Sequence, residues 1–278
     1  MMRGRNRVAV AVRKPNGEIA LHEAPLPSRI YNSRIARTPF VRGLLLLWDA
    51  LGLGTKALMW SADVAIGEEE GGSAGFSGPV AWGTVILSLA FGVGLFFLLP
   101  TAISHWIEQA FSLSKIASSF IEGLIRILLF VGYIVLIARM EDIRRVFAYH
   151  GAEHKTINAY EAGAPLTPES VARFSTLHTR CGTSFLLFVL LISILLFVPL
   201  QFDAWYLRLA SRLPLIPVVA GIAYEFLRFS TRHQANPIMR LLIAPGLAMQ
   251  KLTTRQPSLD MLEVAICALR PVLRADGR

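Results

Sequence analysis

Four long apolar stretches, at about 80–102, 121–139, 182–200 and 213–229, constrain this chain more than any other feature. A helix needs about 20 apolar residues to cross the hydrocarbon core of a bilayer, so each stretch is long enough or nearly so. The fourth is the weakest, because Pro214 and Pro217 stand near its start and Glu225 near its end. Composition points the same way. Hydrophobic residues make up 54% and charged residues 17% of the 278, with a mean hydropathy of +0.50, against roughly 45–50% and 25% in an ordinary soluble domain. The apolar residues are clumped rather than spread at a helix or strand period. A disordered chain, a disulfide scaffold and a collagen-like repeat are excluded, and a plain soluble enzyme is disfavoured. Cys181 and Cys267 lie far apart with no CxxC pair, which fits a reducing compartment.

The flanking segments are of a different kind. Residues 1–42 carry basic residues but no apolar run with a cleavage site, so they do not read as a signal peptide. Val8, Val10 and Val12 alternate with small residues, and Lys14-Pro15-Asn16-Gly17 turns the chain into Glu18–His22. That is the pattern of a β-hairpin, which must dock on something larger to be stable. Residues 43–66 mix Leu44–Trp48, Leu51, Leu58 and Trp60 with Asp49, Lys56 and Asp63, as an amphipathic helix lying in the interface does. Gly67–Gly72 is an acidic linker with three glutamates. Segments 142–162, 236–251 and 258–270 are expected to be further interfacial helices. The fold class is therefore an all-α polytopic membrane protein with about four transmembrane helices, interfacial helices and a small N-terminal β-hairpin. It divides into residues 1–42, a cytoplasmic hairpin and basic linker, and 43–278, the helical membrane domain.

The net charge of +9 suggests nucleic acid until the basic residues are located. Ten precede the first span, among them Arg29, Arg34, Arg37 and Arg42. The next connection holds Lys115; the third holds Arg139, Arg144, Arg145, Lys155, Arg173 and Arg180; the fourth holds Arg208 and Arg212; eight more lie from Arg228 onward. High and low loops alternate as the positive-inside rule requires, with both termini cytoplasmic. The expected location is a bacterial cytoplasmic (inner) membrane, crossed several times. The expected partners are a bilayer with anionic headgroups and a membrane-protein partner or a second copy of the chain. Nucleic acid is not needed.

With this topology the reactive side chains gather on the cytoplasmic side. In a helix, His150, Glu153, His154, Ile157 and Glu161 fall within about 100° of one another, a stripe of imidazoles and carboxylates suited to a divalent metal. The order His-x-x-Glu-His also matches the inverted zincin pattern, in which both histidines bind zinc and the glutamate activates water. A polar helix face at the interface would look the same. His178 and Cys181, three residues apart, can share a face just before the third span; imidazole with thiolate favours zinc, although a buried cysteine is also a common apolar filler. Glu225 is a carboxylate in an apolar helix, which needs a partner or a cavity, and Arg228 could supply the partner. Glu122 and Arg126, four apart in the second span, read as a structural pair. The ligand set expected is His150, His154 and His178, completed by Cys181 or Glu225. Glu153 is then the general base, and Arg180 stabilises developing negative charge.

The blocks His150-Gly151-Ala152-Glu153-His154-Lys155-Thr156, His178-Thr179-Arg180-Cys181-Gly182-Thr183-Ser184 and Asn236-Pro237 resemble the YqhQ-like family of bacterial polytopic membrane proteins, over most of the chain from about residue 30. The resemblance implies a membrane protein, and the family's common label implies a metal-dependent enzyme; it supplies no substrate. Three functions follow. The first is a zinc-dependent hydrolase acting on a membrane-proximal peptide or lipid bond. The second is a non-enzymatic scaffold or insertion factor with a structural metal. A transporter is third, disfavoured by the lack of a repeat or of paired broken helices.

Overall fold

The computed structural model describes residues 1–27, 38–65, 79–200, 202 and 205–277. Arg29, Arg34, Arg37 and the acidic linker 67–72 lie outside the described residues. The chain is mostly helical with a small antiparallel sheet at its start.

The sheet carries the expected hairpin. Strands β2 (Arg7–Arg13) and β3 (Ile19–Pro25) pair with Arg13 opposite Ile19. Gly17 takes φ +90°, and the Asn16 side chain accepts from the Glu18 amide at 3.0 Å. Both devices close the turn. A third strand, β1 (Met2–Arg3), adds to β2 and carries no sequence signal at two residues long.

Helices follow: α1 (Val41–Ala65), α2 (Pro79–Val93), a π-helical turn (Gly94–Leu98), α3 (Leu99–Phe111), α4 (Lys115–Ile137), α5 (Glu141–Glu161) and the short α6 (Pro168–Val171). Then come α7 (Gly182–Phe197), α8 (Trp205–Arg212), a 3-10 turn at Leu213–Leu215, α9 (Ile216–Arg232), α10 (Pro237–Thr253) and α11 (Leu259–Ala275). Four expected interfacial segments are thus helices α1, α5, α10 and α11, with ends shifted by a few residues.

Among the described residues, two helices are long and apolar enough to cross a membrane: Gly83–Phe111, which runs through α2, the π turn and α3, and Lys115–Ile137. The first continues past the expected end near 102 because the π turn absorbs Pro100. Proline has no N–H to bond the carbonyl four residues back, and that carbonyl, of Phe96, accepts from Arg126 Nε at 2.9 Å. Only 11% and 17% of the two apolar segments are covered by the rest of the protein; Ile86, Leu87, Leu89 and Phe91 are all exposed. Neither of the other two expected spans is as long and apolar: one comes out shorter, and the other keeps its length but lies three residues further along the chain. Helix α7 has 16 residues, about 24 Å at 1.5 Å per residue, below the ~30 Å of the hydrocarbon core. Helix α9, of 17 residues, starts only after Pro214.

Two packed regions result. In one, α4 packs between α3 and α7, and α7 also touches α9 and α10. Gly246 of α10 lies against Ser184 so closely that a Cβ would sit 3.0 Å from it. Within this region Glu122 is buried with two arginines. It accepts from Arg126 at 2.8 Å, from Arg212 at 3.0 Å and from the Thr101 hydroxyl at 3.0 Å. The Glu122–Arg126 pair was expected. Arg212, expected in an outer connection, is buried instead. The second region joins the sheet to α5, α6 and α11 around Met2, Ala9, Ala152, Ala159, Val171 and Leu262, so the hairpin docks on α11.

Candidate metal centre

Helix α5 starts with Glu141 and Asp142, which suit the positive end of the helix dipole. It ends at Gly163, whose φ of +69° gives the left-handed residue that commonly follows a helix. Its inner face is set by close contact. A Cβ on Gly151 would sit 2.1 Å from the Arg255 carbonyl, so glycine alone fits there, and the Arg255 amide bonds the Phe147 carbonyl at 2.9 Å. Ala152 beside it is fully buried. His150 and His154 flank this contact, with rings 4.4 Å apart.

Cys181 arrives from the segment before α7, as the residue that caps that helix, its sulfur accepting from the Thr183 amide at 3.4 Å. His150 Nε2 lies 3.2 Å from Cys181 Sγ. The donor atoms of His150, His154 and Cys181 all lie within 4.8 Å of one another. These three residues can hold a metal ion. Two donors on a tetrahedral zinc, with Zn–S about 2.3 Å and Zn–N about 2.0 Å, stand about 3.5 Å apart, close to the observed nitrogen–sulfur separation.

The imidazoles are also oriented for it. His150 Nδ1 bonds the Thr253 carbonyl at 2.9 Å, and His154 Nδ1 bonds the Thr176 carbonyl at 2.6 Å. A carbonyl only accepts, so each Nδ1 carries the proton, and each Nε2 of a neutral ring keeps a lone pair for the cluster. Thr253 and Thr176 act through backbone atoms, which is why no side-chain pattern announces them. Their loops are held in turn. Lys155 Nζ donates to the carbonyls of Ala172 and Phe174 at 2.7 and 2.6 Å, and Asn158 Nδ2 to those of Ser175 and Leu177 at 2.9 and 3.0 Å. Gln250, fully buried, donates to the His178 carbonyl and accepts from its amide.

Charge follows geometry. Burial pushes the Cys181 thiol up, but hydrogen bonds with His150 and His154 outweigh it and bring the pKa down to about 5. Burial lowers His150, while the bond to Cys181 more than restores it and leaves the ring raised. His178 is lowered by burial, against the opposing pull of Glu161.

The remaining expected residues stand as follows. His178 is buried with its ring 5.8 Å from that of His154, and its Nε2 faces Glu161 at 3.5 Å; it borders the cluster and is not one of its three donors. Arg180 pairs with Glu161. Glu225 is held by Arg42, whose Nε donates at 2.6 Å, and by the Phe40 amide at 3.2 Å; its expected partner was Arg228, and it does not reach the cluster. The Glu153 side chain is 38% exposed, and its carboxylate lies 3.9 Å from the Met1 amine.

A family model described as a protein of unknown function, DUF1385, matches residues 38–275. The uncharacterized protein YqhQ of Bacillus subtilis (strain 168) is 35% identical over 287 aligned positions that cover 100% of this chain and 90% of YqhQ. No solved structure matches the chain. The histidine and cysteine blocks that build the centre thus sit inside the matched region, and the chain belongs to the DUF1385, or YqhQ-like, family.

Proposed function

We propose that the protein is a membrane-embedded, zinc-dependent hydrolase whose centre faces the cytoplasm. The observation that carries this reading is the His150–His154–Cys181 cluster, with both imidazoles pinned through Nδ1. Three protein donors leave a tetrahedral ion one open position, the mark of a catalytic rather than a structural zinc site. Imidazole with thiolate selects zinc among common ions. When bound, zinc supplies a Lewis acid and makes water a competent nucleophile near neutral pH. The chain's residues do the rest. Glu153, next to His154 and partly exposed, takes the proton from the attacking water; its contact with the Met1 amine is exposed and weak. Arg180 stabilises negative charge developing on the substrate. The uncovered apolar surface of α2, α3 and α4 supports a membrane location, with a substrate near the headgroups.

A scaffold with a structural metal is the second reading. It is favoured by the depth of the donors: Cys181 and His154 are 5% and 3% exposed. Metal analysis of detergent-purified protein tests both readings. About one zinc per chain is expected, lost in His154→Ala and in Cys181→Ala, and kept in Glu225→Gln and Glu153→Gln. Wild-type zinc in both ligand variants rejects the ligand set. Glu153→Gln then separates enzyme from scaffold. If Glu153 transfers the proton, activity falls roughly 10²–10⁴-fold and complementation of a deletion strain fails at normal expression and metal content. Full complementation leaves the scaffold reading in front.

A further inference from the structure

Beside the centre, the last turn of α5, the segment before α7 and the end of α9 enclose a cleft of about 460 Å³. Its polar wall includes Glu161, His178, Thr179, Arg180, Arg232 and Gln234. His178 is the partition, lining the cleft on one side with its ring 5.8 Å from that of His154 on the other. None of His150, His154 and Cys181 lines the cleft, so the His178 ring separates a ligand there from the donor cluster.

The groups in this wall are mostly donors. The lining carries two arginines and one glutamate, a formal excess of positive charge, and Arg232 also lies in the field of Glu225. Gln234 Nε2 donates to Thr179 Oγ1 at 3.0 Å, so the Thr179 hydroxyl keeps its own proton to give. The Thr231 hydroxyl, by contrast, is spent on the Leu227 carbonyl at 2.7 Å, and the Asn158 amide on the two loop carbonyls already described. Arg180 is engaged with Glu161, but their side chains are 58% and 40% exposed. A pair so exposed contributes little, and Glu161 can yield Arg180 to an entering anion while keeping His178. Two guanidinium forks and a hydroxyl offer more donors than the two oxygens of a carboxylate use, and match a phosphate group. The volume exceeds that of a phosphate and leaves room for the organic group attached to it.

We propose that this cleft binds the phosphate group of a phosphorylated ligand. The inference stands on the lining of the cleft and does not rest on the hydrolase reading.

The test is calorimetric titration of the full-length, zinc-loaded protein in uncharged detergent. The probes are inorganic phosphate, glycerol 3-phosphate and dioctanoyl phosphatidic acid, with acetate and dioctanoylglycerol as controls. At least one phosphate-bearing probe is expected to saturate a single site, and Arg180→Ala with Arg232→Ala to weaken it by about tenfold or more at unchanged zinc content and helical signal. Tight binding of dioctanoyl phosphatidic acid alone identifies a lipid source; equal binding of glycerol 3-phosphate identifies a soluble one. No saturable phosphate binding, binding unchanged in the double variant, or acetate binding as tightly as phosphate overturns the proposal. Zinc bound without phosphate binding removes this inference alone, whereas phosphate binding without zinc removes the hydrolytic reading and leaves the anion cleft.

Discussion

Cys181 and Gly151 are where the centre is most sensitive to a single atom. In metal-free protein the Cys181 pKa is depressed to about 5, from about 8.5 for a free thiol. A depressed acid contributes stability that is complete above the unfolded value and is lost as pH falls through the folded one. That contribution is therefore expected to decline from about pH 8.5 downward and to be gone below about 5. Thiolate absorbance near 240 nm checks it: a midpoint near 5 is expected, and one near 8.5 removes the imidazole–thiolate pairing. Gly151 controls the same geometry by contact. Alanine there would meet the Arg255 carbonyl at 2.1 Å, and overpacking of that kind costs about 1–3 kcal/mol. Gly151→Ala is expected to lower both thermal stability and zinc content, although it removes no ligand. Wild-type zinc in that variant would show that α5 can shift without disturbing His150 and His154.

At the scale of elements, the buried charges on α4 and α8 give an ordering of stabilities. Among the described residues, Glu122 is the carboxylate that offsets Arg126 and Arg212. Glu122→Gln leaves two guanidiniums buried without a counter-charge and is expected to cost about 3–5 kcal/mol. Arg212→Met leaves the Glu122–Arg126 pair balanced and should cost less. Thermal unfolding in one detergent reads the order directly, and the reverse order would mean that the cluster is not held by charge balance. The Arg126–Glu122 half of this cluster was legible as an i, i+4 pair. Arg212 was not, because 90 residues separate it from Glu122 and a basic residue in a connection reads as solvated. Helix α5 and the hairpin were legible for local reasons, the one from its histidine spacing and the other from Asn16-Gly17. The end of α3 was not: the apolar run fades near residue 102, and the π turn with Arg126 beneath it, which carries the helix past Pro100 to Phe111, leaves no local pattern in the sequence. Glu225 shows the same limit. A carboxylate in an apolar helix signals a partner without naming it, and Arg42 lies 183 residues away in the chain.

For the molecule as a whole, orientation is the open prediction. Gly83–Phe111 and Lys115–Ile137 are joined by a turn at Ser112, whose φ of +49° reverses the chain. Two such helices crossing as a pair would return the chain to the side from which it came, and the Lys/Arg distribution leads us to expect that side to be cytoplasmic. Reporter fusions after residue 110 are expected to read outside; a cytoplasmic reading there would invert the face on which the centre lies. The bond from His150 to the Thr253 carbonyl spans 103 residues, and that span has a meaning in time. A ribosome that has delivered His150, His154 and Cys181 has not yet made the carbonyl that aims the first of them. Nascent chains thus pass through insertion with the donors present but unaimed, and a well-oriented ion site exists only once α10 has emerged and docked. Loading of any metal the cluster takes is therefore expected to be a late step, with the finished fold rather than the translating chain as the species that competes for the ion.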